Sequence, residues 1–168
     1  MIPSILHATT VAVFRNGGWA GVLIRGESGG GKSDLALRLL ATGWRLVADD
    51  RTVVWSSEAR LWGRAPRTLS GLIEARELGI ATAAPLELAP IVLGVRLVDR
   101  DETLERTPEQ SFTDILEIRL PEVRIFAMQA SAAVKVTVAL SVLESRSSTG
   151  VSSRRAGPRA GLSGGGSR

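Results

Sequence analysis

Apolar positions near the start of the chain form two short unbroken runs and then give way to a helical rhythm. Residues 10–14 and 20–24 are short, β-branched-rich runs around Asn16-Gly17-Gly18, which predicts two strands joined by a tight turn. Over residues 32–42 the period changes: Leu35, Ala36, Leu39 and Leu40 recur three and four apart, one face of a helix, and Gly43 supplies a stop. Residues 44–48 read as a third strand ending at Asp49-Asp50. Residues 52–55 and 60–62 flank Ser56-Ser57-Glu58 as a second hairpin. Residues 72–76 predict a strand entering the turn Glu77-Leu78-Gly79, and residues 90–98 a buried strand. Residues 99–110 form a charged loop and residues 112–118 a short helix. Residues 131–143 form a longer helix with Ala132, Val136, Ala139, Leu140 and Leu143 on one face. No internal repeat is present. So many hairpin signals around a strand–helix unit predict a mixed α/β core with antiparallel hairpin additions, rather than a purely doubly wound fold.

Composition narrows the picture. With 168 residues, 44% of them hydrophobic, the chain has the size of one domain and enough apolar surface for a core. It has no cysteine, which excludes disulfides and thiolate metal sites and suits a reducing cytosol. No apolar run reaches membrane-spanning length, and no signal-peptide pattern opens the chain, so a cytoplasmic protein without a membrane partner is expected. The net charge of +4 comes from the end of the chain. Residues 145–168 hold five arginines and no acid, and the remainder has 16 basic and 17 acidic residues. Residues 1–144 are therefore expected to be the folded domain. Residues 145–168 are expected to be a disordered Ser/Gly/Arg tail too polar to offset its ordering entropy. The body has no basic stripe with interleaved aromatics, so no nucleic-acid partner is expected.

The chemistry is concentrated between the first helix and the strand before it. Gly26-Glu27-Ser28-Gly29-Gly30-Gly31-Lys32-Ser33 fits the phosphate-loop pattern G-x-x-x-x-G-K-[ST] and lies between a predicted strand and a predicted helix. A triphosphate needs several backbone N–H groups converging on its oxygens, and glycines allow that close approach. Lys32 then reaches the β- and γ-phosphates, and Ser33 supplies a hydroxyl to Mg²⁺. Asp49 and Asp50 end a strand where a phosphoryl-transfer site needs carboxylates. Strand neighbours face opposite ways, so one of them suits the metal and the other the attacking group. Glu74 and Arg76 share a face of their strand and pair a carboxylate with a guanidinium, which suits metal and phosphate but is also the pattern of a surface ion pair. His7 is the only histidine; by itself its position says little. These residues alone leave three readings open: a protein kinase, a small-molecule kinase or nucleoside triphosphatase, and a non-catalytic nucleotide sensor.

Taken in order, His7-Ala8, GESGGGKSDLALRL from Gly26, LVADD ending at Asp50 and GLIEARELGI from Gly71 resemble the HPr kinase/phosphorylase catalytic domain. The segment QASAAVK from Gln129 resembles the C-terminal helix region of its short alphaproteobacterial members. The resemblance implies a phosphate-loop fold related to phosphoenolpyruvate carboxykinase. It implies use of ATP and Mg²⁺ to phosphorylate a serine of the phosphocarrier HPr, phosphorolysis by inorganic phosphate in reverse, and possible homo-oligomers. By position, Asp50 would be the base, Lys32 would hold phosphate, and Ser33, Glu74 and Asp49 would serve the metal. His7, Arg76 and Arg106 would lie at the reacting phosphates. The family's E-x-R-G-L-G motif carries Glu77 here in place of its first glycine. That position would be strained if it needs positive φ.

Overall fold

The computed structural model describes residues 2–99 and 109–152. Three two-residue turns set much of its topology. Strand β2 (Thr9–Arg15) returns as β3 (Gly18–Arg25) through Asn16 and Gly17, at φ 50° and 80°. Strand β5 (Arg51–Ser57) returns as β6 (Arg60–Arg64) through Glu58 and Ala59, at φ 51° and 56°. Paired positive φ values give the twist that matches flanking antiparallel strands. The third turn, Leu116-Glu117, joins β10 (Ser111–Ile115) to β11 (Ile118–Ile125).

That third hairpin overturns the short helix expected over residues 112–118. Phe112, Ile115 and Leu116 have helical spacing, but seven residues are too few for period alone to separate helix from strand. Pairing across the turn buries Ile115 with Leu120 against Leu23 and Leu61, and this tertiary burial decides the outcome.

The remaining strands are β1 (Ser4–His7), β4 (Arg45–Ala48) and β9 (Ala89–Leu97). They complete a mixed sheet in the order β1-β5-β6-β9-β3-β2-β4, with β11 parallel to the C-terminal half of β9 and β10 outside it. A separate hairpin, β7 (Leu72–Ala75) and β8 (Gly79–Thr82), packs near the first helix. Helix α1 (Lys32–Leu40) agrees with the expected face: Leu35, Ala36 and Leu39 are fully buried. Helix α2 (Ala132–Ser152) buries Ala132, Val136 and Leu140. It runs past residue 144, so the expected boundary between domain and tail falls inside a helix. Residues 153–168 lie outside the described residues.

The alternation of β3 divides the core. Val22 and Ile24 face α1 and α2 with Val95, Leu97 and Ile125, while Leu23 faces the other way with Val54, Leu61 and Ile91. Each such side chain contributes about 1.5–3 kcal/mol on full burial. Buried on both faces, β3 holds its C-terminal end in a fixed place, and the glycine-rich loop springs from that end.

Candidate active site

The loop between β3 and α1 runs from Gly26 to Gly31. Gly31 precedes the helix at φ 92°, and a Cβ there would lie 2.8 Å from the Met128 methyl and 3.0 Å from Ala127 Cβ. Its left-handed conformation favours glycine, and the close neighbours leave little room for a side chain. No side chain caps α1. Its first N–H groups thus remain for an anion, with the positive end of the helix dipole behind them.

Lys32 is buried and folds back over the loop. Its Nζ donates to the carbonyls of Gly26 at 3.1 Å and Glu27 at 2.8 Å. Burial lowers its pKa from the usual lysine value, and the charges of Asp50 and Asp49 oppose that shift. A lysine held by two neutral carbonyls in this way has exchangeable partners, since phosphate oxygens would serve it better.

Asp49 is the hub of the site. It is buried, and its carboxylate accepts hydrogen bonds from Thr9 Oγ1 at 2.7 Å and from Ser33 Oγ at 2.8 and 3.0 Å. The Glu74 backbone N–H donates a further one at 2.9 Å. Strand β2, helix α1 and strand β7 are thus tied to one side chain. The next residue points away: Asp50 is exposed, adopts φ 61°, and lies 3.5 Å from His7 Nε2 and 3.8 Å from Arg51 Nε. The two aspartates differ in burial, but not through strand alternation: both lie in the bend between β4 and β5, where the left-handed Asp50 turns the chain, and the lone histidine does join the cluster. Pairing of β1 with β5, which sets His7 opposite Arg51, brings it there.

Glu74 enters through its backbone, with its side chain exposed. Arg76 Nη2 lies over the loop, 3.6 Å from where a Gly29 Cβ would sit. Glu77 holds φ 70° in the turn after it, the strained conformation expected if glycine is displaced. Arg106 lies outside the described residues.

Sequence reasoning missed Thr9, a strand residue with no distinguishing neighbour. It also missed Arg38, which has the look of an ordinary surface partner to Asp34 four residues earlier. Arg38 bonds Asp34 at 2.8 Å, and also reaches the carbonyls of Ala127 at 2.5 Å and Gln129 at 3.1 Å. It thereby ties the segment before α2 to α1, and the same segment lies close to Gly31.

Among the described residues no three carboxylates or imidazoles form a metal cage. A carboxylate beside a hydroxyl at a phosphate loop still fits Mg²⁺, which takes few protein ligands and completes its shell with water and phosphate oxygens.

The chain is similar to known proteins over much of its length. Residues 3–155 match the family model described as the HPr serine kinase C-terminal domain. A protein of Clostridium tetani named HPr kinase/phosphorylase is 41% identical over 93 residues, 55% of this chain and 29% of that protein. One of Leptothrix cholodnii with the same name is 38% identical over 137 residues, 70% of this chain and 42% of that protein. The chain thus spans well under half the length of these relatives. A solved structure, the Hpr(Ser) kinase/phosphatase from Coxiella burnetii, superposes with a TM-score of 0.72 at 24% identity, over 85% of this chain and 99% of that one. The fold is the same.

Proposed function

Because this chain belongs to the HPr serine kinase C-terminal domain family, we propose that it transfers the γ-phosphoryl group of ATP to a serine hydroxyl of an HPr-type phosphocarrier protein. The observation that carries this reading is the convergence of Lys32, the Ser33–Asp49 pair and the exposed Asp50–His7 pair around one glycine loop. On this reading the loop amides and Lys32 hold the phosphates, and Arg76, over Gly29, neutralises charge at the outer end. Ser33 and Asp49, with Glu74 beside them, would hold Mg²⁺, which when bound neutralises charge on the β- and γ-phosphates.

On the same reading Asp50 is the base. It accepts the serine proton while the serine oxygen bonds to the γ-phosphorus and the bond to the bridging oxygen of ADP breaks. His7, beside Asp50, orients that carboxylate. In reverse, an oxygen of inorganic phosphate bonds to the phosphorus of the phosphoserine, the serine oxygen–phosphorus bond breaks to release pyrophosphate, and Asp50 returns the proton to the serine oxygen. Among the described residues no helix is long and apolar enough to cross a membrane. A cytoplasmic setting, where ATP and the phosphocarrier are found, is part of the same proposal.

The test is incubation with Mg-ATP and the phosphocarrier, read by intact mass. Gain of one phosphoryl group on a serine is expected. ATP turnover with no modified acceptor would overturn the protein-kinase reading.

A further inference from the structure

Threonine and valine have nearly the same shape, and a fully buried strand position favours valine, because the threonine hydroxyl loses its water there. Strand β2 nevertheless opens with two threonines, and both Thr9 and Thr10 are fully buried. Each hydroxyl must find a partner inside, and the two find different ones. Thr10 Oγ1 lies 2.8 Å from Thr52 Oγ1, whose one proton goes to the Ala8 carbonyl at 2.9 Å, so Thr10 is the donor. That chain ties β2 to β5 and ends on a backbone oxygen. Thr9 donates instead to Asp49 Oδ1 at 2.7 Å.

We propose that Thr9 is a positioning residue for the metal-binding hydroxyl of Ser33, and that it acts through Asp49. This assignment rests on the Mg-ATP reading above and adds what orients its serine. Ser33 has one hydroxyl proton and two lone pairs. The proton is directed at Asp49, with Ser33 Oγ 2.8 Å from Oδ1 and 3.0 Å from Oδ2. The direction of that bond decides where the lone pairs point, and a lone pair is what a cation takes.

The plane of the Asp49 carboxylate therefore aims Ser33. That plane turns about a terminal torsion that is soft by nature. Two donors fix it: the Glu74 N–H holds Oδ2 at 2.9 Å, and Thr9 holds Oδ1. Each oxygen then has one donor besides the serine. Without the Thr9 hydroxyl, Oδ1 keeps Ser33 alone, and carboxylate and serine turn together. Thr9 is a firm anchor, because its strand is paired with β3 on one side and β4 on the other.

The test is calorimetric ATP affinity, measured without acceptor in excess Mg²⁺ and again in EDTA. The ratio is the gain that the metal supplies. Thr9→Val keeps shape and strand propensity and removes the hydroxyl. It should cut that gain about 10-fold, as loss of a group one shell away from a metal does, and leave affinity in EDTA unchanged. Thr9→Ser should restore it. Thr9→Cys, a weaker donor, should give an intermediate gain, and carries the test if the valine variant does not fold. Thr10→Val should lower the thermal midpoint and leave the gain intact. With the acceptor present, Thr9→Val should raise the Mg²⁺ needed for half-maximal transfer and leave the acceptor's KM unchanged. If Thr9→Val lowers only the thermal midpoint, as Thr10→Val does, Thr9 is a structural hydroxyl and the proposal falls. It falls equally if ATP weakens as much in EDTA as in Mg²⁺, or if Thr9→Ser fails to restore the gain. If wild type binds ATP without any gain from Mg²⁺, or does not bind it, the Mg-ATP reading itself falls and takes the proposal with it.

Discussion

Asp49 and Asp50 show how much one peptide unit changes at the residue scale. Asp49 is satisfied by three donors and is buried, whereas Asp50 is exposed beside His7. Asp50→Asn should therefore cut phosphoryl transfer by about 10²–10⁴-fold, the usual contribution of a positioned base, and keep Mg-ATP affinity. Equal transfer by variant and wild type in the mass assay would remove Asp50 from the mechanism. Asp49→Asn should act differently, raising the Mg²⁺ needed for half-maximal activity and lowering the thermal midpoint.

Lys32 carries the pH prediction. Its pKa is lowered by burial, so the free protein loses that charge at a pH below the usual lysine value of 10.5. Phosphate binds the protonated form, so affinity should fall as pH rises through the lowered pKa. Lys32→Arg should keep its charge through that range. Tripolyphosphate titrations between about pH 8 and 10.5 would show an earlier fall for wild type; identical profiles would contradict the assignment.

Glu77 is the remaining residue of interest. Glycine there would relieve about 1–2 kcal/mol of left-handed strain and give back about 0.4–1 kcal/mol in unfolded-state entropy. The net change in stability is small, so a rate effect can be read directly. On the proposed reading, a carboxylate next in sequence to Arg76, whose guanidinium lies over Gly29, repels an incoming phosphate dianion more than an ATP already neutralised by Lys32. Glu77→Gly should then speed phosphorolysis more than phosphorylation. Equal change in both directions, measured with purified acceptor across a phosphate titration, would exclude this role.

Among the elements, α2 depends most on tertiary packing. Leu140 is buried on its inner face, while Val134 and Val138 are 63% and 54% exposed on its outer one. Leu140→Ala should cost about 2–5 kcal/mol by cavity formation, read from the urea midpoint. Val138→Ala should change it by less than about 0.5 kcal/mol. Beyond Leu143 the sequence lacks a long apolar stripe, so its pattern ended the helix early, yet the structure carries it on to Ser152. There Arg15 reaches Ser141 and Glu144, and Arg146 reaches Gln110. Long-range polar contacts of this kind leave no period to detect. The β10–β11 hairpin was obscured for a related reason: its register depends on β9, which is distant in sequence.

At the scale of the whole fold, the described residues form a mixed sheet with two helices against one face and a separate hairpin, and the candidate site lies beside the phosphate loop. Residues 153–168 contain four arginines and few apolar side chains, a composition that does not sustain a packed core. A chain ending at Ser152 should keep its thermal midpoint and transfer rate; a large loss of either would show that the last residues support the domain.

The sequence by itself determined the phosphate loop, its strand and helix, most hairpins and the Asp49-Asp50 pair, because each rests on spacings of a few residues and on backbone rules that act locally. It also carried the family resemblance. Only the tertiary structure decided that His7 stands beside Asp50, that Thr9 and the Glu74 amide hold Asp49, and that Arg38 ties the segment before α2 to α1. Those relations join residues as many as about ninety positions apart. Strand order and register set such distances, and no local pattern in the chain encodes them.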